Sequence, residues 1–400
     1  MPYNIQLITE HSIAIAAEIP QKGVHRKMEV FYNPLMASNR NISILLLNSV
    51  DNTNMNIADP LAGSGIRALR FLKEIKKGKM GHIFVNDKKE NFVRVFQENL
   101  KRNGLNPEES KRYSDKKNKN NKKNEENEKR VSVHSDDAVL FLLNQIKHPV
   151  TESFCGYFDY IDIDPFGSPN AFLPAAVSRI TRKGILAITA TDTAALTGTY
   201  PKVTKRKYWA VSLRNYLMHE VGLRILIRKV QLYGVQFDKA LLPILSYHKD
   251  HYFRVYFRSE KGKEKCDELL RQHQYFLFCP DCLKYEVSNF NKEHCSCGAS
   301  FAFSGPLWAG KLFDEALVRK MASSNPFPEE EKFLSLLKEE AKEDRVGFYD
   351  LHVLAKKYKL KIPRMENILR KLKATKTHFS SNGIKTEKSI KDVLKVLQQK

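Results

Sequence analysis

From residue 57 onward the chain alternates between short apolar runs and amphipathic stretches. NIADPLAGSGIRALRFLKEI reads as strand, glycine-rich turn and helix, with Ile66, Leu69, Phe71, Leu72 and Ile75 roughly on one helical face. GHIFVND predicts a short buried strand ending at Asp87, and NFVRVFQENLKRNGL a helix that Gly104 stops. VSVHSDDAVLFLLNQI, FDYIDIDPFGSP and GILAITATDT each hold a further β-type run, with helical patterns between them. Strand alternating with helix implies an α/β fold, a parallel sheet with helices on both faces. LLPILSYHKDHYFRVYFRS predicts a closing pair of strands. Ahead of this frame, residues 1–30 read as a strand-rich lead-in and FYNPLMASNRNISILLLN as a turn followed by a helix.

The pattern lapses at 108–130, EESKRYSDKKNKNNKKNEENEKR, where Tyr113 is the sole aromatic and no aliphatic residue occurs. That composition cannot repay the entropy of ordering, so a disordered Lys/Asn-rich insertion is expected. The domain boundary is expected near Ser259–Lys263, giving a domain over 1–260 and a second over 261–400. The second begins with a helix and a cysteine cluster, continues through GPLWAGKLFDEALVRKM, and ends in two or three short helices.

Length and charge sharpen the picture. Four hundred residues suit two or three domains, and 42% hydrophobic residues are enough for sizeable cores. Lys and Arg number 67 against 45 Asp and Glu, a net charge of +22, which points to a polyanionic partner. Residues 361–400 hold eleven Lys/Arg against three acids, so the excess is concentrated at the C-terminal end. No stretch approaches the ~18–20 apolar residues of a membrane span. The first twenty residues lack a basic leader and carry Glu10 and Glu18, unlike a signal peptide. Six clustered cysteines do not make a secreted disulfide framework, and a cytoplasmic protein without a membrane partner is expected.

Candidate chemistry gathers at strand ends. Gly63 and Gly65 sit where the first strand of the α/β frame turns into a helix, allowing close backbone approach by an anionic or polar ligand. Asp87 ends the next strand 22 residues after Gly65, where a carboxylate can accept both ribose hydroxyls of an adenosine. Asp136 and Asp137 follow the third strand and are placed to reach the adenine or its ribose. Nicotinamide and S-adenosylmethionine both fit such a site. The fourth strand separates them, because it ends in Asp164-Pro165-Phe166-Gly167-Ser168-Pro169. An exocyclic base amine is a poor nucleophile, its lone pair delocalised into the ring. The Asp164 carboxylate and the Pro165 carbonyl can hold its two N–H groups and turn the lone pair towards an electrophile, while Phe166 stacks on the base.

This motif resembles the Asp/Asn-Pro-Pro-aromatic signature of amino-group methyltransferases, with the second proline missing. FYNPLMASNR, GSGIRALRF, IDIDPFGSPNAFL, GILAITATDTAALTG, HEVGLRIL, YHKDHYFRVY, GPLWAG and THFSSNGIKT together resemble the archaeal and eukaryotic tRNA guanine-26 dimethyltransferase family over nearly the whole chain. The resemblance implies a Rossmann-like S-adenosylmethionine-dependent methyltransferase domain and a smaller α+β C-terminal domain that binds tRNA. It also implies two successive methyl transfers to N2 of guanine 26. By similarity, Arg40 and Arg67 contact S-adenosylmethionine, Asp87 holds its ribose, Asp137 and Ala138 flank the adenine, and Asp164 is the catalytic carboxylate. Asp59-Pro60-Leu61-Ala62-Gly63 departs from the family's more usual Asp-Ala-Leu-Ser-Ala. A non-catalytic nucleic-acid-binding protein, or a methyltransferase acting on DNA or protein amines, would fit less of this pattern. The intact acids Asp87, Asp137 and Asp164 argue against the first, and tRNA–DNA competition separates the second.

Cys279-x2-Cys282 and Cys295-x-Cys297, twelve residues apart, offer four thiolates to tetrahedral zinc. His294 in place of Cys295 would restore an x-x spacing, but four cysteines are the preferred set. Four protein ligands leave no open position, so the zinc is expected to be structural. Cys155 and Cys266 stand alone and are expected to be inert. Thr377, His378, Phe379 and Lys385, in THFSSNGIK, combine types suited to phosphate contact and base stacking, and a loop that touches RNA is expected there. His219-Glu220 lacks the second histidine of a zincin and reads as a helix polar face. His248 and His251 fall in the closing strand pair without a metal partner.

Overall fold

The structure, a computed structural model, describes residues 5–18, 28–105, 130–144 and 156–398. Apart from Arg130, the insertion expected at 108–130 lies outside the described residues, as does Cys155. The chain separates into two compact units, Met1–Ile188 and Thr189–Lys400. No described helix is long and apolar enough to cross a membrane.

The first unit opens with an antiparallel hairpin, β1 (Ile5–Glu10) and β2 (Ile13–Glu18), turned at His11. Ile13, Ile15 and Ala17 alternate into the core, as a half-buried strand requires. Asn33 caps a 3-10 turn over Pro34–Met36, its side chain accepting from the Leu35 N–H, and α1 (Ala37–Ser49) follows. The repeating frame is β3 (Met55–Asp59), α2 (Ile66–Glu74), β4 (Met80–Asn86), α3 (Phe92–Arg102), β5 (Arg130–His134), α4 (Ala138–Asn144), β6 (Phe158–Ile163), α5 (Leu173–Arg179) and β7 (Ile180–Ala190). These five strands are parallel, in the order β5-β4-β3-β6-β7. Ile57, Ile83, Val85, Ile161, Ile163 and Ile185 through Ile188 are buried, as expected of strands covered on both faces. The chain order of the strands reverses between β3 and β6, which places a crevice at their carboxyl ends.

In the second unit, α6 (Thr193–Leu196), α7 (Pro201–Tyr208) and α8 (Met218–Val235) precede the expected strand pair, β8 (Lys239–Lys249) and β9 (Tyr252–Lys261). Gly234 lets α8 meet the start of β8, where an added Cβ would lie 2.6 Å from the Lys239 carbonyl. Next come α9 (Lys263–Leu270) and a three-stranded antiparallel sheet of β10 (His273–Phe278), β11 (Tyr285–Ser288) and β12 (Ala302–Trp308). The chain continues through α10 (Glu315–Ser323), α11 (Glu331–Glu340), β13 (Tyr349–Asp350), α12 (Leu351–Tyr358), α13 (Met365–Leu372), β14 (Thr375–Thr377), β15 (Ser380–Lys385) and α14 (Ile390–Gln398). The strands among them form a small sheet, β13-β15-β14. Where a loop was expected around Thr377–Lys385, the chain therefore makes a β-hairpin. SSNGIK carries one large apolar residue, Ile384, and that residue is fully buried, which anchors strands too polar to show a period.

Candidate functional site

Three strand-end loops of the first unit are tied by backbone-directed side chains. The turn after β3 needs left-handed backbone at Gly63 (φ 61°) and Gly65 (φ 76°). At Gly65 an added Cβ would also come within 2.2 Å of the Phe96 ring. Gly63 N–H donates to Asp87 Oδ2 at 2.9 Å, so the second-strand acid holds the turn while its other oxygen accepts from Lys89 N–H at 3.2 Å. Asn86, which sequence reading passed over, donates through Nδ2 to the Pro60 and Asp136 carbonyls and accepts from the Asp136 N–H. Asp136 and Asp137 are exposed; Asp137 Oδ1 caps α4 by accepting from Val139 and Leu140 N–H, and Ala138 is buried behind it.

At the β3/β6 crevice the buried Arg67 guanidinium is the node. Its Nη2 lies 2.5 Å from Asp164 Oδ2, and its Nη1 lies 3.2 Å from Asp162 Oδ2. Nη1 also donates to Asn39 Oδ1 at 3.0 Å and Ser43 Oγ at 3.1 Å. Asp162 is fully buried and accepts from the Tyr160 hydroxyl at 2.6 Å. Asp164, just past β6, is partly open to solvent. The other motif residues follow it: Pro165 is buried, while Phe166 is 36% exposed and meets Phe31 edge to face at 4.7 Å.

Asp59, at the end of β3, completes the cluster. Burial pushes its carboxyl up, Arg67 opposes this, and the Asp162, Asp164 and Asp87 carboxylates add to it, leaving it at about 8. Asp59 is accordingly a neutral acid near pH 7, able to donate a hydrogen bond. Its Oδ2 and the Oγ of Ser64 are buried without a hydrogen-bond partner among the described residues. Two orphaned polar atoms beside a left-handed glycine turn fit a polar ligand lying against that turn.

Arg40 is not part of this node. Its Nε and Nη2 bind both oxygens of Glu10, and Nη2 also donates to the Asn33 carbonyl. Glu10 accepts from Arg70 and Tyr32 as well. Burial alone would raise the Glu10 carboxyl, but hydrogen bonds and charge from Arg40 and Arg70 hold it at about 2.

In the second unit the four expected cysteines converge. The Sγ atoms of Cys279, Cys282, Cys295 and Cys297 all lie within 4.8 Å of one another, with Cys279–Cys297 at 3.5 Å and Cys282–Cys295 at 3.6 Å. Tetrahedral zinc with Zn–S bonds of about 2.3 Å requires sulfurs about 3.8 Å apart, so the set fits. His294 is outside it, its ring 3.7 Å from Glu293. Two tight turns build the site: Leu283 N–H donates to the Cys279 carbonyl and Gly298 N–H to the Cys295 carbonyl. The Tyr358 hydroxyl braces it from α12 through the Cys282 carbonyl.

The Thr377–Lys385 hairpin turns its functional side chains inward. Thr377 Oγ1 donates to Glu340 Oε1 at 2.6 Å, and His378 meets Glu340 Oε2 through its backbone N–H at 2.8 Å and Nδ1 at 2.6 Å. Lys385 Nζ donates to Glu220 at 3.2 Å and to the Arg345 carbonyl at 2.7 Å, with no exposed surface. Phe379 is buried in parallel alignment with Phe348. The structure corrects the expected RNA-facing loop: the buried carboxylate of Glu340 draws these groups into the interior. Glu220 is likewise interior, paired with Arg224 Nε at 2.9 Å and accepting from Gly347 N–H, so it is not on a solvated helix face. His219 and His248 stack at 4.0 Å, and among the described residues they belong to no metal-ligating group.

A family model described as N2,N2-dimethylguanosine tRNA methyltransferase matches residues 10–398. A tRNA (guanine(26)-N(2)/guanine(27)-N(2))-dimethyltransferase from Aquifex aeolicus is 37% identical, over 98% of this chain and 96% of its own length. A tRNA (guanine(26)-N(2))-dimethyltransferase from Pyrococcus furiosus is 35% identical, over 99% and 100%. Among solved structures, Trm1 from Pyrococcus horikoshii in complex with S-adenosyl-L-methionine superposes with a TM-score of 0.78 at 32% identity, covering 99% of this chain and all of that one. On the family match and these full-length relatives, the chain belongs to the N2,N2-dimethylguanosine tRNA methyltransferase family.

Proposed function

We propose that this protein dimethylates the exocyclic N2 amine of guanine 26 in tRNA, with S-adenosylmethionine as methyl donor. The single observation that carries the residue assignment is the Arg67–Asp164 pair at the β3/β6 crevice, with the half-open Phe166 beside it. S-adenosylmethionine, when bound, supplies the electrophilic methyl carbon. The orphaned Asp59 and Ser64 atoms, the Gly63–Gly65 turn, Asp87 and the Asp136–Ala138 segment are the groups that would hold it.

The protein's own contribution is orientation. The Asp164 carboxylate accepts one N–H of the guanine amine and the Pro165 carbonyl the other, which turns the nitrogen lone pair out of conjugation. Arg67 fixes the carboxylate's direction, and that carboxylate can take the proton lost as the new N–C bond forms. Phe166 stacks on a base that has left its helix, offsetting an unstacking cost of a few kcal/mol by roughly 1–3 kcal/mol. The four-cysteine cluster holds zinc in a structural role. By function, residues 1–260 form the methyltransferase domain and 261–400 the tRNA-binding domain.

Asp164→Asn tests the assignment. It should bind S-adenosylmethionine in calorimetry as the wild type does, yet transfer label to tRNA at least about a hundredfold more slowly. Near-wild-type transfer would remove Asp164 from the chemistry.

A further inference from the structure

Between Asp192 and Glu220 the chain carries no acid, while Lys202, Lys205, Arg206, Lys207 and Arg214 are all basic. Four of these belong to α7, and Lys202, Lys205 and Arg206 are exposed and make no ion pair among the described residues. Asp192 is engaged from within, by the Tyr208 hydroxyl at 2.6 Å and Lys207 at 3.6 Å. The helix stops at Trp209, which adopts left-handed backbone (φ 55°), an uncommon conformation for a bulky residue. Its N–H donates to the Lys205 carbonyl and its own carbonyl accepts from Arg228 Nη1. From α8 the buried Lys229 places Nζ 2.9 Å from the indole centroid, and Tyr233 lies 6.1 Å away. The indole is thus backed by a cation, yet Trp209 is 49% exposed, so much of its surface is presented to solvent. Tyr200, at the other end of α7, is also exposed.

We propose that α7 and Trp209 form a tRNA-contact surface, Lys202, Lys205 and Arg206 lying on phosphates while the indole stacks on an unpaired base. The proposal rests on the tRNA methyltransferase reading and adds to it a surface outside the Asp164 crevice. A basic helix with exposed cations next to an aromatic platform is the pairing that single-stranded nucleic-acid sites use, charge along the backbone and π-faces for the bases. Because the stack tolerates any base, the surface contributes affinity rather than base identity.

The chain offers a direct probe, since it has two tryptophans and the second, Trp308, is buried at 3% exposure. Titrating the full-length protein with unmodified tRNA should quench the exposed indole's fluorescence in step with binding, and Trp209→Phe should remove the signal while leaving the fold intact. The variant Lys202→Ala/Lys205→Ala/Arg206→Ala should weaken tRNA binding at least about tenfold and lower the slope of log affinity against log salt by about two to three. Its S-adenosylmethionine affinity should not change. Saturable tRNA binding without a change at Trp209, or a triple variant with wild-type affinity and salt slope, would overturn the proposal and direct the patch to another polyanion, such as an acidic protein. If the wild type methylates tRNA and the triple variant does so equally well, only the surface fails. If the wild type binds no tRNA, the functional reading fails and the surface with it.

Discussion

Arg67 bridges two carboxylates of different standing: Asp162, sealed in the core, and Asp164, open to the crevice. One guanidinium therefore neutralises a structural charge and aims a functional one. Arg67→Ala leaves Asp162 buried without its counter-ion and should cost about 3–5 kcal/mol in denaturant unfolding. Arg67→Lys keeps the charge but loses the fork, so it should melt closer to the wild type while slowing methyl transfer by at least about tenfold. Unchanged stability of the alanine variant would show that Asp162 does not depend on this pair.

Gly65 is constrained twice, by φ 76° and by the Phe96 ring. Gly65→Ala should destabilise the first unit by roughly 1–3 kcal/mol in urea unfolding and weaken cofactor binding, because the turn must shift. A Gly78→Ala control, also at positive φ but with nothing within 4 Å of the added Cβ, should cost less and leave cofactor affinity alone. Equal effects at both sites would mean that backbone strain alone, and not packing against Phe96, makes Gly65 necessary.

Zinc should be present at one ion per chain by elemental analysis, and Cys282→Ser should lose it. Since all four positions are taken by sulfur, stripping the metal with a chelator should lower the melting temperature of the second unit without altering cofactor binding at Asp87. Full metal content in Cys282→Ser would exclude that residue as a ligand.

Stability should fall on either side of about pH 4 for separate reasons. Glu10 and Glu340 titrate near 2 in the folded protein against an ordinary 4.5. Their depressed values contribute stability that is complete above about 4.5 and is lost as pH falls towards 2. Asp59 runs the other way: raised from 3.8 to about 8, it contributes stability that is complete below about 3.8 and is lost progressively as pH rises towards 8. Asp59→Asn should flatten the fall of a melting-temperature profile between about pH 4 and 8 and leave the acid limb in place. A fall over that range unchanged in this variant would assign it to another group.

The repeating frame was legible because strand runs, glycine turns and amphipathic helices each carry a local period, and the cysteine set because ligand spacing is local too. Arg67 was not legible as the partner of Asp164, which lies 97 positions away and meets it only when β3 and β6 pair. Asn86 escaped notice because a buried amide has no periodic signature. The Thr377–Lys385 hairpin was misjudged for a related reason. Its polar residues suit a solvent-facing loop until Glu340, at the end of α11, supplies the buried charge that satisfies them. Trp209 gave no warning, since a bulky residue in left-handed backbone at the end of α7 has no sequence signature.

The central claim is tested most directly by nucleoside mass spectrometry of unmodified tRNA incubated with the protein and isotope-labelled S-adenosylmethionine. The account predicts labelled N2-methylguanosine followed by N2,N2-dimethylguanosine, both abolished when guanine 26 is replaced by adenine. Dimethylguanosine that survives this replacement would move the site to another guanine. No label in any nucleoside, from folded and zinc-loaded protein, would contradict the account.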